Sequence, residues 1–457
     1  MDENENIVRL TEFHGKNDLS SAWEESLASA YAQRHANDSR YVAAWGRWMQ
    51  YDGTCWQTDD TLHAFDRARA ICREAAVGWN NTNAKIAIAL ASAKTVAAVE
   101  RLAKVRRQLA ATAEQWDADP WLLQADSMTV DLRAGVARDP APVDYITKKA
   151  ASVAAPYGTT HPLWTGFLNR VTAGDVELQA FLQRYCGYCL TGITSEHKFV
   201  FAYGTGANGK STFVNTIAAI FGDYTTIADM GTFIASNSER HPTDLAKLRG
   251  ARLVVAQETQ KGRRWDETKI KALTGGDKIT ARFMRQDFFD YTPTFKLFIV
   301  GNHKPHLQSV DEAMRRRLLL VPFTVQIPPA ERDPKLLQKL EAERPAILRW
   351  CIDGCLEWQR IGLAPPAIVQ DATEAYFADQ DVLQQWLDEC THDAGPWAFT
   401  RSSELFASWK SWCDERNFKP GSAQALSEAL VDRGFEKTRD SDATRQRGFK
   451  GLAVKPR

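Results

Sequence analysis

The sequence predicts an α/β fold, with an α-rich region before it and a small domain after it. Three apolar runs, at 199–203, 250–258 and 295–301, have the length and composition of buried strands and alternate with helical patterns. The first run passes directly into a glycine-rich loop, and a helical pattern follows at 213–221. A glycine-rich loop between a strand and a helix is typical of α/β proteins that bind phosphate groups.

The glycine-rich loop has the spacing Gly-x4-Gly-Lys-Ser. Glycines let backbone N–H groups turn toward a phosphate, and the N-terminus of the next helix adds a positive dipole. The lysine reaches the β- and γ-phosphates of a nucleotide, and the serine hydroxyl ligates Mg²⁺. The sequence therefore predicts a P-loop that binds ATP and Mg²⁺, with a glycine turn that holds no ligand as the disfavoured alternative. Its predicted nucleotide-binding residues are Gly204, Thr205, Gly206, Ala207, Asn208, Gly209, Lys210, Ser211 and Thr212, and Ser211 is also a predicted metal ligand.

Length and composition narrow the possible classes of protein. A chain of 457 residues is long enough for about two to four domains. Lys+Arg and Asp+Glu balance at 57 each, so a nucleic-acid-binding surface must be local. No apolar run approaches the roughly 18 residues of a membrane span, and the acidic N-terminus disfavours a secretory signal. We therefore expect a cytoplasmic protein with no membrane partner.

Two close pairs of cysteines stand out among the eight in the chain. Cys186 and Cys189 form one pair, and Cys351 and Cys355 form the other. Each pair falls within a helical apolar pattern, and the pairs are far apart in the sequence. We expect buried, reduced thiols, with a zinc site as the alternative.

The region before the loop predicts a helix at 20–34, then short strands, then more helices. The aromatic-rich stretch at 41–56 predicts two strands around a turn at Asp52 and Gly53. An alanine-rich stretch at 59–114 predicts helices with interleaved basic residues. Such a pattern indicates a solvated helix face, and a contact with nucleic acid is the alternative.

Three groups after the loop are candidates for the chemistry of hydrolysis. The apolar run at 250–258 ends at Glu258, whose carboxylate can polarise an attacking water or hold Mg²⁺ through water. The run at 295–301 is followed by Asn302, which can orient that water as a sensor. Three arginines at 315–317 precede a further strand, and their charge can stabilise a transferring phosphoryl group, usually on the neighbouring subunit.

Two segments carry candidate contacts with DNA. A β-hairpin is predicted at 279–291, with a turn at 285–288, and a buried structural hairpin is the alternative. Basic and aromatic residues suit phosphates and bases respectively. The candidates in the hairpin are Lys278, Arg282, Arg285 and Phe288.

The second segment is at the C-terminus. Helices at 401–417 and 422–433, followed by a basic hairpin at 435–454, fit a winged helix whose second helix enters a DNA groove. A solvated charged tail is the alternative. One amphipathic helix is predicted before this segment, at 374–390. The candidate DNA contacts in the basic hairpin are Arg439, Arg445 and Arg447.

The motifs described above, taken in chain order, resemble those of superfamily 3 helicases. The most similar branch contains the phage and plasmid primase-helicases and the poxvirus primase-helicase. The resemblance covers most of the chain after residue 40. It implies an AAA+-type ATPase ring, commonly hexameric, that hydrolyses ATP to move along single-stranded DNA. The stretches that carry it are Gly204–Ser211, Leu253–Glu258, Leu273–Asp277, Phe298–Asn302 and Arg316–Phe323.

The resemblance also implies roles for single residues and bounds for domains. The implied roles are phosphate and Mg²⁺ binding for Lys210, Ser211 and Thr212, the Walker B acid and metal ligand for Glu258, the sensor for Asn302, and the arginine finger for Arg316 or Arg317. Two departures are Gln257, which precedes a lone acid, and Arg315, which stands where relatives often carry an aromatic residue. The predicted segments are a polar stretch at 1–40, an α-rich domain at 41–175, the AAA+-type core at 176–345, a helical extension at 346–396 and a winged helix at 397–457.

We therefore predict an ATP-dependent DNA helicase of phage, prophage or plasmid replication that assembles as a homo-oligomer, with the hexamer expected. Its predicted partners are single-stranded DNA and, through the C-terminal domain, duplex or origin DNA. The roughly 40 residues ahead of the helicase-associated region are too few for a primase domain, so a separate primase or polymerase is a candidate partner. A nucleotide-controlled initiator or defence scaffold is the alternative, and a P-loop phosphotransferase fits the hairpin and the arginines less well.

Overall fold

The computed structural model divides the chain into two compact units. The structure describes residues 23–236, 243–257, 262–285, 287–307, 311–440 and 445–455. The first unit runs to Pro305 and also contains Arg317–Gln370, and the second contains His306–Arg316 and Asp371–Arg457. The segment that carries Arg315 and Arg316 therefore groups with the C-terminal residues, whereas Arg317 groups with the first unit.

The first unit begins with four helices and a small four-stranded sheet. The elements are α1 (Glu24–His35), β1 (Ser39–Val42), β2 (Arg47–Tyr51), β3 (Trp56–Thr58), α2 (His63–Trp79), α3 (Ala84–Leu90), α4 (Ala93–Ala103) and β4 (Ala110–Ala111). The helices share a core that includes Tyr31, Ile71 and Val99. β2 and β3 pair antiparallel on either side of the predicted turn at Asp52, which confirms that hairpin.

A second small sheet and two helices lead into the central sheet. They are β5 (Leu122–Ala125), β6 (Met128–Asp131), β7 (Val136–Arg138), α5 (Pro162–Val171) and α6 (Val176–Leu190). The three strands pair antiparallel in chain order. Asp175 caps the N-terminus of α6, because its side chain accepts hydrogen bonds from the N–H groups of Glu177 and Leu178.

The central sheet is parallel and has five strands. The elements from here on are β8 (Phe199–Tyr203), α7 (Lys210–Phe221), β9 (Thr225–Ala228), α8 (Thr243–Ala246), β10 (Leu253–Gln257), α9 (Glu267–Gly275), β11 (Ile279–Ala281), β12 (Phe289–Tyr291), β13 (Lys296–Gly301), α10 (Glu312–Arg315) and β14 (Leu318–Pro322). The strand order is β14-β8-β13-β10-β9, and every neighbouring pair is parallel. The first four residues of β8 are all buried, as expected for a parallel strand covered on both faces. The predicted α/β fold is confirmed.

Helices α11 (Leu336–Glu341) and α12 (Arg344–Ile361) follow, and α12 packs on α6 with the two backbones in contact. A Cβ added to Gly187 on α6 would lie 2.0 Å from the backbone nitrogen of Cys355. A Cβ added to Gly354 on α12 would lie 2.1 Å from the carbonyl oxygen of Gln183. Only glycine at both positions allows an approach this close.

The predicted burial of the paired cysteines is confirmed. All eight cysteines lie in the described part of the chain, and none forms a disulfide bond. The four cysteines of the two close sequence pairs are buried. Burial raises the pKa of the Cys355 thiol to about 12. Among the described residues, no three His, Cys, Asp or Glu side chains are grouped so that they could hold a metal ion. None of the described helices is long and apolar enough to cross a membrane.

The C-terminal elements are α13 (Ala367–Gln380), α14 (Val382–Cys390), β15 (Thr391–Arg401), α15 (Ser402–Glu415), α16 (Ala423–Asp432), β16 (Lys437–Arg439) and β17 (Arg447–Val454). The strands form an antiparallel sheet in the order β15-β17-β16, over a core that includes Trp386, Trp412 and Phe449. The single helix predicted at 374–390 is wrong, because Asp381 separates two helices and caps the second by accepting from the Gln384 N–H at 2.9 Å.

Candidate functional site

The glycine-rich loop joins the carboxyl end of β8 to the first turn of α7. Gly209 precedes α7 with φ +82°, and a Cβ there would lie 2.3 Å from Cγ1 of Val171. Gly204 lies so close to Phe323 that a Cβ would be 2.1 Å from the Phe323 carbonyl oxygen. Larger residues would therefore push the loop away from its neighbours and change the backbone around the start of α7.

Lys210 points back into this loop. Its side chain is 4% exposed. Its Nζ donates to the carbonyl oxygen of Gly204 and to Oδ1 of Asn208, both at 2.9 Å, and to Oδ1 of Asn302 at 3.3 Å. Burial lowers the pKa of Lys210. Because these three acceptors are neutral, an anion brought to the same place would favour the charged amine.

The parallel sheet explains why Lys210 and Asn302 meet although 92 positions separate them. β8 and β13 are neighbours, and Gly301 at the end of β13 lies opposite Tyr203 at the end of β8. Both side chains therefore stand outside the carboxyl ends of adjacent strands, where open α/β sheets commonly bind ligands. Two residues predicted from separate motifs are thus brought to one place.

The other predicted residues of the loop differ in exposure, and Gly206, Gly209 and Thr212 are half-buried. Thr205 and Ser211 are exposed, whereas Asn208 is buried and donates from Nδ2 to the carbonyl oxygen of Phe323 at 2.8 Å. Glu258 lies outside the described residues. The residue before it, Gln257, ends β10 and donates to Oδ1 of Asn215 on α7 at 2.9 Å.

Sequence motifs did not predict three residues that lie beside the loop. The chain after β14 returns to it, where Ile327 N–H donates to the Ala207 carbonyl at 2.9 Å and Gln326 donates to Thr205 Oγ1 at 3.1 Å. No local pattern in the sequence marks this return. Lys304 was also missed; its Nζ lies 4.1 Å from the centre of the Tyr203 ring.

The three consecutive arginines have different surroundings. The guanidinium carbon of Arg315 lies 5.0 Å from the centre of the Phe377 ring. Arg316 is exposed, whereas Arg317 is 9% exposed. Nη2 of Arg317 would lie 3.7 Å from a Cβ added to Gly275, at the end of α9. Arg317 therefore packs within its own unit, and Arg316 faces solvent.

Comparison with known proteins adds evidence of a different kind. Residues 28–173 match a family model described as "D5 N terminal like", and residues 202–317 match one described as a family of unknown function, DUF5906. The second match contains the whole glycine-rich loop, the hairpin, Asn302 and the three arginines.

The chain is also similar to viral proteins named as helicases. It is 26% identical over 296 residues, or 60% of its length, to "Putative helicase L207/L206" of Acanthamoeba polyphaga mimivirus. It is 25% identical over 260 residues, or 52% of its length, to "Putative helicase 022R" of Frog virus 3. The aligned regions take up 31% and 26% of those proteins, so the chain spans about a third or less of each relative.

Among solved structures, the apo C-terminal region of NrS-1 has the same fold. The alignment covers 94% of this chain and 99% of that one, with a TM-score of 0.51 and 8% identity. In its family matches and its relatives, the chain is similar to the D5-like primase-helicases of phages and viruses. The resemblance predicted from the motifs is confirmed.

The hairpin of this D5-like protein has an anchored base and an exposed tip. At the base, Tyr291 donates its hydroxyl to the carbonyl oxygen of Leu245 at 2.6 Å. At the tip, Arg285 is exposed with φ +61°, and Phe288 is 60% exposed with the Arg282 guanidinium 4.7 Å from its ring centre. Lys278 is exposed where the hairpin begins. Lys278, Arg285 and Phe288 are therefore accessible, whereas Arg282 is half-buried beneath the Phe288 ring.

The cations predicted at the C-terminus of the D5-like chain lie on and beside one pair of strands. Arg439 ends β16 and lies directly opposite Arg447, the first residue of β17. Arg445 precedes β17, and all three side chains are exposed. The structure thus brings these residues together at one end of the C-terminal sheet.

Proposed function

We propose that this D5-like protein is an ATP-driven DNA helicase that acts in the replication of a virus, phage or plasmid. The meeting of Lys210 and Asn302 in front of the glycine-rich loop carries the proposal. A loop cation and an amide from the adjacent strand are groups that catalysis of phosphoryl transfer uses. The names of the related viral proteins support the same activity.

Each group at the loop has a proposed task. Backbone N–H groups of residues 204–209 and the N-terminus of α7 hold the phosphates, and Lys210 exchanges its neutral acceptors for phosphate oxygens. Asn302 orients the attacking water. Ser211, exposed in the first turn of α7, and Glu258 are the proposed ligands for Mg²⁺, which offsets phosphate charge when bound.

We assign the arginine finger to Arg316. A finger must reach a nucleotide on the neighbouring subunit, and Arg316 is exposed, whereas Arg317 is buried beside α9. The assignment requires a closed homo-oligomer, in which each interface joins the loop of one subunit to the arginine of the next. A ring, with the hexamer as the proposed form, satisfies that requirement.

Two parts of the chain are proposed to contact DNA. The exposed tip of the β11–β12 hairpin offers guanidinium groups to phosphates and Phe288 to bases, as single-strand channels do. At the C-terminus, the order helix, strand, two helices and two strands supports a winged helix that binds DNA.

ATP hydrolysis measured with and without single-stranded DNA, alongside native mass, tests the proposal. We expect DNA to stimulate turnover by a multi-subunit species, and Lys210→Ala to abolish turnover while the melting temperature stays unchanged. Asn302→Asp should impair ATP binding more than Asn302→Ala, because a carboxylate there would pair with Lys210 and repel phosphate. ATP binding without turnover would favour a nucleotide-controlled scaffold. DNA-independent transfer of phosphate to a small molecule would favour a phosphotransferase.

A further inference from the structure

One strand of the C-terminal sheet carries a protruding tryptophan. β15 pairs with β17 through Gly395 opposite Gly451, and the pairing resumes at Phe399 opposite Lys450. Residues 396–398 therefore bulge out of the strand while the sheet continues on both sides. Trp397, in the middle of the bulge, is 93% exposed.

The bulge has a defined shape. Gly395 at its start has φ +82°, and its N–H donates to Oδ1 of Asp393 at 2.8 Å. At its end, the ring of Phe399 lies on Gly448, where an added Cβ would meet the ring at 2.5 Å. Both ends of the bulge are thus fixed to the sheet, which keeps the indole of Trp397 presented outward.

Exposed cations lie on the other two strands of this sheet, on β17 next to β15 and on β16 beyond it. Lys437 on β16 is exposed, as are the facing residues Arg439 and Arg447. Like charges directly opposite each other destabilise a sheet. Across the described residues, neither of these arginines has an acidic partner in an ion pair. An arrangement that costs stability and offers two facing guanidinium groups suits an anionic ligand better than an apolar one.

The strands set the distance between the aromatic group and the cations. The three to four residues of β17 from Arg447 to the bulge correspond to about 10–13 Å at the rise of a strand. This separation is on the scale of one or two nucleotides, so one strand can place a base at Trp397 and nearby phosphates at the cations.

Helix α16 is a poor surface for DNA. It contains no Lys or Arg, and two of its exposed residues are Glu428 and Asp432. Gln424 on the same face donates to Glu428 Oε1 at 2.9 Å. A helix placed in a DNA groove with two carboxylates facing the phosphates would be repelled.

We propose that the C-terminal unit binds unpaired nucleic acid through this sheet, with the Trp397 indole stacked on a base and Lys437, Arg439 and Arg447 on the phosphates, rather than binding a duplex groove through α16. The ligand class is a single strand or the single-strand side of a duplex junction. This inference rests on the proposed function in one respect, namely that the protein acts on DNA.

Equilibrium binding of full-length protein to labelled single-stranded DNA, a forked duplex and a blunt duplex tests this inference. Stacking on one base predicts that Trp397→Ala weakens binding to the single strand and the fork by roughly five- to hundredfold, and that Trp397→Phe restores most of it. Arg439→Gln with Arg447→Gln should lower the salt slope of single-strand binding by about 1.4. Trp23→Ala, which removes another exposed indole, is the matched control.

The outcomes separate the inference from the proposed function. Normal binding of the single strand and the fork by a folded Trp397→Ala variant overturns the inference alone. A several-fold gain in blunt-duplex affinity for Glu428→Gln with Asp432→Asn also overturns it, because α16 would then face the phosphates. Failure of the wild-type protein to bind any of the three DNAs overturns the inference and the proposed function together.

Discussion

Lys296 is a buried charge in the central sheet. It lies on β13, the strand that leads to Asn302, and is 3% exposed. Its Nζ donates to the carbonyl oxygens of Thr191, Ile193 and Thr294. Burial lowers the pKa of Lys296 to about 7. The charged amine is thus less favourable in the folded protein than in water.

This residue predicts a specific pH dependence of stability. Between pH about 7 and the lysine pKa of about 10.4 in the unfolded chain, the unfolded state binds a proton that the folded state does not. The contribution of Lys296 to the free energy of unfolding therefore rises with pH in that window and is constant below it. The free energy of unfolding, measured with denaturant, should increase from pH 6.5 to pH 8.5. The increase for the wild type should exceed the increase for Lys296→Met by about 1–2 kcal/mol. Equal rises would show that the amine titrates normally.

At the scale of elements, the contact between α6 and α12 depends on two glycines. Gly187→Ala would place a methyl group 2.0 Å from the Cys355 nitrogen, so the helices must separate. Overpacking of this kind costs about 1–3 kcal/mol or more, and we expect the melting temperature to fall by several degrees.

Gly166→Ala is the matched control. Gly166 is an exposed helical glycine on α5, and nothing lies within 4 Å of the Cβ that would be added. Alanine there should stabilise the protein by about 0.5–1 kcal/mol, because it favours the helix. Calorimetric melting of both variants should give shifts of opposite sign. A neutral Gly187→Ala would mean that the helices are not in backbone contact.

The β11–β12 hairpin supports a second prediction at this scale. Arg285→Ala with Phe288→Ala removes an exposed cation and an exposed ring from the tip and leaves the Tyr291 anchor in place. We expect the ratio of DNA-stimulated to DNA-independent ATP hydrolysis to fall steeply, since stacking and phosphate contacts are both lost. Ile227→Ala, which shortens an exposed side chain on β9, should leave that ratio unchanged. An unchanged ratio in the stable double variant would place the DNA contact elsewhere.

Local patterns predicted the elements of the core because its strands are buried on both faces. Unbroken apolar runs such as 199–203 can be recognised without knowledge of the fold. The break at Asp381 was missed because a capping aspartate can also stand on the polar face of a continuous helix. β15 was missed because Gly395, Pro396 and the bulge interrupt the alternation of a strand.

Local patterns also predicted single residues of the site but not the contacts between them. Sequence spacing gave the loop, Lys210 and Asn302 as separate candidates, and parallel strand order brings the latter two together. Spacing alone did not distinguish Arg316 from Arg317, because their exposure depends on how each packs. Nor did it give the return of Ile327 to the loop, which is a contact between distant parts of the chain.

At the scale of the whole molecule, the proposed function requires that neighbouring subunits share each ATP site. Lys210→Ala and Arg316→Ala subunits should each be inactive alone. In a one-to-one mixture, about a quarter of the interfaces of a ring would join an intact loop to an intact arginine. ATP hydrolysis should therefore recover to about a quarter of the wild-type rate if the sites act independently. No recovery in assemblies shown to contain both variants would argue against a finger that acts between subunits.

The central claim is that ATP hydrolysis drives movement along DNA. Its most direct test is strand separation of forked duplexes, with a single-stranded tail of either polarity, by the wild-type protein and by Lys210→Ala at equal concentration. We predict that the wild-type protein separates the strands of at least one fork only when ATP is present, and that Lys210→Ala separates neither. DNA-stimulated ATP hydrolysis without strand separation on either fork would contradict the claim.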